Sequence, residues 1–153
     1  MSDQQRIYFS LRLIEYFLLF VSVMMPQFKQ LSRGISKGRK VFNIEKLLKV
    51  QRTTIFAYVQ SVYLIVDQIC FIQYFSGYTM IPIDKLCKTL WTMVVILKPI
   101  NKKGRFLIGL FLVGKLCDSL IGVSSSYIKL LDIPQYVTGL LGVSSSLIQL
   151  YLL

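Results

Sequence analysis

The 153-residue chain is 54% hydrophobic and only 16% charged, with a mean hydropathy of +0.59, which leaves too few polar groups to coat an ordinary water-soluble domain. Its net charge of +11, from 18 Lys and Arg against 7 Asp and Glu, points on so apolar a chain to anionic lipid headgroups and away from nucleic acid. With no histidine, scattered carboxylates and no metal-spaced cluster, phosphate loop or nucleophile motif, neither catalysis nor a cofactor or metal site is expected.

The cysteines, Cys70, Cys87 and Cys117, are odd in number and widely spaced. They suggest no disulfide framework or zinc site and fit a reducing location.

In chain order, the apolar stretch Ile7–Met25 is interrupted by Arg12 and Glu15 and closed by Pro26. It predicts an amphipathic helix, facing lipid or a core, and lacks the basic start and small-x-small cleavage site of a signal peptide. The segment Phe28–Asn43 divides cleanly at about 100° per residue. Phe28, Leu31, Ile35 and Phe42 fall on one side, and Lys29, Arg33, Lys37 and Lys40 fall on the other. Such a helix can lie in a bilayer interface, each Lys or Arg near an anionic surface contributing about 1 kcal/mol. The same pattern also suits a bundle helix with a solvated basic face. The lipid-binding set expected from the interfacial reading is Phe28, Lys29, Leu31, Arg33, Ile35, Lys37, Arg39, Lys40 and Phe42, and reversing the charge of Lys37 and Lys40 is expected to abolish liposome tubulation without preventing insertion. Lys29–Arg52 is also the expected targeting segment.

Ile44–Phe75 continues as one long apolar helical pattern whose stretch from Thr53 holds a single charge, Asp67. An ionisable residue in such a run is a functional candidate, or else an inter-helix or water-facing group near the membrane surface. Ser76–Arg105 is punctuated by Gly77, Pro82 and Pro99 and predicts a short helix between turns. Lys98, Lys102, Lys103 and Arg105 then precede an apolar run. Phe106 to about Ser126 and Pro134–Leu153 predict a transmembrane hairpin, joined through Tyr127–Ile133, in which Lys115 and Asp118 partly offset each other as an i, i+3 pair.

The twenty uncharged residues Pro134–Leu153 form the best span in the chain by length. Their Gly139, Gly142 and Ser146 make a small-residue face suited to helix packing or oligomerisation. A Gly-Val-Ser-Ser-Ser element occurs twice, from Gly122 and from Gly142, and reads as convergent small-residue packing. The expected architecture is all-α, an integral membrane helical protein with amphipathic N-terminal helices and a C-terminal transmembrane helical hairpin. It forms a single domain with regions 1–52, 53–105 and 106–153.

An ordered set of elements spans most of the chain: Arg33, Gly38-Arg39-Lys40 before Val41-Phe42, Ile65-Val66-Asp67-Gln68-Ile69, Cys117-Asp118, and Thr138-Gly139-Leu140-Leu141-Gly142-Val143-Ser144-Ser145. It resembles the peroxin-11 family of peroxisomal membrane proteins. The resemblance implies a helical protein of the peroxisomal (or related microbody) membrane, with both termini cytosolic, that homo-oligomerises on an anionic phospholipid membrane and elongates it before division. Fission machinery, a dynamin-related GTPase and its receptor, is an implied partner, and a solute-conducting channel is the alternative role. Family members are usually longer, with a polar connection before the terminal helix pair where this chain has Lys98–Arg105.

Overall fold

The computed structural model describes residues 3–49, 53–78, 80–125 and 131–153, and every regular element among them is helical. The helices are α1 (Asp3–Val21), α2 (Gln27–Gly38), α3 (Asn43–Lys49), α4 (Ile55–Phe75), α5 (Ile81–Leu97), α6 (Arg105–Ser125) and α7 (Gln135–Leu152), with a 3-10 turn at Arg39–Phe42 between α2 and α3. Arg52, Ser126 of the first Gly-Val-Ser-Ser-Ser element and the residues Tyr127–Leu130 of the hairpin connection lie outside the described residues.

Local chemistry sets the helix ends. Thr54 caps α4, its side-chain oxygen accepting from the Ala57 N–H at 3.1 Å, which satisfies one of the orphan donors of the first turn. Gly77, at φ +75°, closes α4 with the paired bonds Tyr78 N–H to Gln73 carbonyl and Gly77 N–H to Tyr74 carbonyl, a left-handed cap that a Cβ would strain. Pro82 starts α5 instead of breaking it, because a first-turn proline gives up only an N–H that has no helical partner. The expected short helix is therefore seventeen residues long. Likewise, the single long pattern from Ile44 divides into α3 and α4.

The elements form an up-and-down bundle, with α2, the 3-10 turn and α3 together making one rod. Ser32 bonds Glu15 and Arg39 bonds Tyr8, so this rod runs antiparallel to α1. Cys70 against Ile83, Lys115 against Lys98 and Ser145 against Asp118 set α4–α5, α5–α6 and α6–α7 antiparallel in the same way. α7 returns to pack along α1 and closes the ring. One end of the bundle, called here the terminal end, gathers residues 4–5, 46–49, 98–102 and 152–153 around one cavity. Ser22 and Gln135 meet at the other end. Lys29 therefore sits toward the end opposite Lys49, and the basic residues from Lys29 to Lys49 are spread along the length of the bundle.

Two helices, α4 and α6, are long and apolar enough to cross a membrane by length and composition. Each has 21 residues, about 31 Å of helix. α7, expected to be the best span, does not reach that standard among the described residues, because Gln135, Gln149, its tyrosines and its serines dilute its apolar content.

The bundle exposes many apolar side chains, and its interior mixes apolar residues such as Leu64, Phe111 and Ile121 with buried charged and polar ones. On α4 the exposed residues include Tyr58, Ile65, Ile69 and Ile72, while Ala57, Ser61, Leu64, Asp67 and Cys70 are buried. α1 exposes Ile7, Ile14 and Phe17 but buries Arg12 and Glu15. α7 exposes Leu140 and Leu147 but buries Gly139, Gly142, Ser145 and Ser146.

Candidate functional site

The interior is held by three ion-paired nodes, each drawing on different helices. In the first, Arg12 of α1 makes a two-point contact with the Asp118 carboxylate of α6, with Nη1 to Oδ2 at 3.2 Å and Nη2 on Oδ1. The Ser145 hydroxyl of α7 donates to the same Oδ1 at 2.5 Å. Arg12 is 4% exposed, Asp118 5% and Ser145 0%, so bulk water supplies almost none of their solvation. The guanidinium also lies 5.5 Å from the Tyr16 ring and 5.6 Å from the Trp91 ring, within cation–π range.

In the second node, Arg39 Nε donates to Glu15 at 2.6 Å and its Nη1 to the Tyr8 hydroxyl at 2.6 Å. In the third, Lys40 pairs with Asp67 Oδ1, to which Cys87 Sγ also donates at 3.4 Å, and the other oxygen, Oδ2, accepts from Asn43 Nδ2 at 2.8 Å. A fourth, outer tie joins Lys37 to Asp84 at 2.6 Å, with Lys88 at 3.3 Å. Burial alone would raise the Asp84 carboxyl, but the Lys37 and Lys88 ammoniums outweigh it and hold its pKa below the usual range. Among the described residues, no buried side-chain N or O lacks a hydrogen-bond partner, as a dry polar interior requires.

These nodes alter the expected lipid-binding set. The chain does not continue as one amphipathic helix to Asn43. Gly34 and Gly38 weaken α2, and the tighter 3-10 turn redirects Arg39 and Lys40 inward to Glu15 and Asp67. Lys37 is likewise tied to Asp84, so three of the expected lipid-facing cations belong to the bundle. Lys29, Leu31 and Arg33 are exposed, Phe28, Ile35 and Phe42 are half-buried, and Ser32 seats α2 on α1 by donating to the Glu15 carbonyl at 2.9 Å.

Asp67 is an inter-helix group, 2% exposed, and Lys40 is the partner cation that spacing along the chain did not disclose. The Lys115–Asp118 pairing expected along α6 is absent from the ion pairs of the described residues. Asp118 faces Arg12, and Lys115 donates to the Lys98 carbonyl at 3.0 Å.

The small-residue face of α7 is covered within the chain. A Cβ at Gly142 would lie 2.0 Å from the Tyr16 ring, and one at Gly139 would lie 2.8 Å from the Phe20 backbone. Ser146 is fully buried and bonds back to the Gly142 carbonyl. The oligomerisation role expected for Gly139, Gly142 and Ser146 is thus taken by the α1–α7 contact. In the other copy of the repeat, Gly122 is closed against Thr92 of α5 in the same manner, which explains the echo as two helices each needing a small residue at a close crossing.

Arg12, Glu15, Asp118, Ser145 and Tyr8 were missing from the expected site. The signal was present in part, since charges inside the apolar stretches of α1 and α6 invite the same question as Asp67. Cavities of about 630, 130 and 290 Å³ follow one another along the interior. Tyr8 lines all three, and Trp91 lines the two smaller ones. No protein-family model, curated protein or solved structure matches the chain.

Proposed function

We propose that the chain is an integral protein of the peroxisomal membrane that bends and elongates that membrane ahead of division. The observation that carries the membrane seat is the distribution of side chains in the bundle: charged groups paired inside, and aliphatic and aromatic side chains outside on α1, α4, α6 and α7. In lipid that outer shell needs no covering, and the paired interior is the arrangement that tolerates charge at membrane depth.

The remodelling role rests on the first turns of α2. Leu31 is exposed between exposed Lys29 and Arg33, an apolar wedge flanked by cations that widens the leaflet it meets. Residues 4–5 and 152–153 share one end with the basic connection after α5, which supports placing both termini on the cytosolic side.

The test is tubulation of anionic liposomes by the full chain. The variants Lys29→Glu/Arg33→Glu and Leu31→Glu should insert normally and lose tubulation, and the side on which tubules form should follow the leaflet that α2 meets. Undiminished tubulation by both variants would remove α2 from the mechanism. A channel is the second reading, favoured by the cavities in series. It predicts that Asp67→Asn changes the ion selectivity of reconstituted chain, and unchanged selectivity counts against it.

A further inference from the structure

The interior gives each of its deep cations a carboxylate: Arg12 has Asp118, Arg39 has Glu15 and Lys40 has Asp67. The 630 Å³ cavity at the terminal end departs from that pattern. Its lining includes Lys46, Lys49, Lys98 and Lys102 but only one acidic side chain, Glu45, and Glu45 is paired with Lys49. Lys102 donates to the Leu152 carbonyl at 2.8 Å.

Lys46 and Lys98 have no carboxylate within ion-pair distance among the described residues. Each ammonium instead rests on an aromatic ring, Lys46 at 4.5 Å from the centre of Tyr8 and Lys98 at 5.5 Å from that of Phe111. Burial lowers the Lys98 pKa, and Lys46, Arg12 and Lys102 push the same way, with Asp118 the one opposing charge. Two mutually repelling, partly desolvated ammoniums beside a cavity are a standing demand for an anion. Gln60, Gln149 and Asn101 bring neutral amides to the same lining, and the volume falls within the ~300–1,000 Å³ typical of small-molecule sites.

We propose that this cavity binds a phosphomonoester, with Lys46 and Lys98 as the two cations that receive the phosphate oxygens. The charge count favours that group. The four lining lysines exceed the one lining glutamate by three charges, and a phosphomonoester, at about −1.5 to −2 at neutral pH, offsets more of that excess than a singly charged carboxylate or the phosphodiester of an ordinary phospholipid. The group has two sources, the headgroup of a phosphorylated inositol lipid reaching the bundle end from the bilayer, or a soluble phosphorylated compound. The inference depends on the cavity and its lysines alone, and it stands or falls independently of membrane bending.

The test uses the full chain in phosphatidylcholine nanodiscs. One arm titrates soluble inositol 1,4-bisphosphate by calorimetry. The other compares nanodiscs containing phosphatidylinositol 4-phosphate with nanodiscs containing phosphatidylinositol, reading thermal stability. Binding in the first arm assigns a soluble ligand, and stabilisation confined to the phosphorylated lipid assigns a headgroup. Lys46→Gln/Lys98→Gln should weaken the response at least ~tenfold, since two charge-assisted contacts are lost, while Lys46→Arg/Lys98→Arg should largely retain it. Lys103→Gln/Arg105→Gln, which removes equal charge from exposed residues outside the cavity, should leave it unchanged. In the wild-type chain, bound ligand should shield Lys46 and Lys98 from amine acetylation and leave Lys103 reactive. No response to either probe, equal weakening by the outside pair, or acetylation that ignores the ligand would each overturn the assignment.

Discussion

Replacing Arg12 by methionine removes one partner of the deepest ion pair and leaves the Asp118 carboxylate with Ser145 as its one remaining donor among the described residues. Both groups are at least nine-tenths buried, so the orphaned charge is not rehydrated, and the expected loss is ~3–5 kcal/mol. Asp118→Asn should cost a similar amount by orphaning the guanidinium. The double variant Arg12→Met/Asp118→Leu removes both charges and fills the space with apolar atoms, and such exchanges of a buried pair are commonly neutral or stabilising by about 1–4 kcal/mol. The stability order is therefore double variant near or above wild type, with each single variant far below it. Denaturant unfolding of the full chain in mixed micelles, followed by circular dichroism, measures all four proteins. A coupling energy under ~1 kcal/mol, or a double variant as unstable as the singles, would refute the picture of a dry, mutually dependent pair and would mean that water reaches it.

Three further outcomes follow from the packing. Gly142→Ala should destabilise by ~1–3 kcal/mol, because its Cβ meets the Tyr16 ring in an interior that cannot expand freely. Gly109→Ala, with nothing within 4 Å of its Cβ, should stabilise by up to ~1 kcal/mol through helix propensity, and equal effects in the same unfolding assay would contradict the crossing. Reversing Lys37 and Lys40 to Glu should lower the melting temperature of detergent-solubilised chain sharply, because each faces an aspartate. Lys29→Glu/Arg33→Glu, at exposed positions, should change it little, and the reverse ranking would sink the assignment of the inward cations. Finally, Asp84 has a folded pKa below its ordinary 3.8, so its contribution is complete above that value and is lost as the pH falls through the lower, folded value. The stability difference between wild type and Asp84→Asn should hold from neutral pH to ~5 and shrink below ~4. A difference that persists unchanged at the acid end would show that the carboxylate charge is not the source.

Much of the architecture is legible along the chain because it is decided within a few residues. Gly77 after α4 and the apolar content of α4 and α6 are local properties, and they suffice to predict helices, some of their limits and an affinity for membrane, whereas the cap at Thr54 starts α4 within a run from Ile44 that reads as continuous. The periodicity of Phe28–Asn43 is local too, but it identifies two faces without saying what each face meets. Lys29 and Lys40 belong to the same basic stripe, yet one is exposed and the other is paired with Asp67.

What the tertiary structure alone decided is pairing. Arg12 and Asp118 are 106 residues apart in sequence, and each taken singly reads as a flaw in an apolar helix. Together they satisfy each other's charge. In the same way, Gly142 announces that something approaches closely, but only the return of α7 along α1 makes that something the Tyr16 ring of the same chain instead of a second copy. Hydropathy is a sum over a window and is fixed by composition, whereas the cost of a buried charge depends on which atom lies across from it, and that atom comes from wherever the fold brings it.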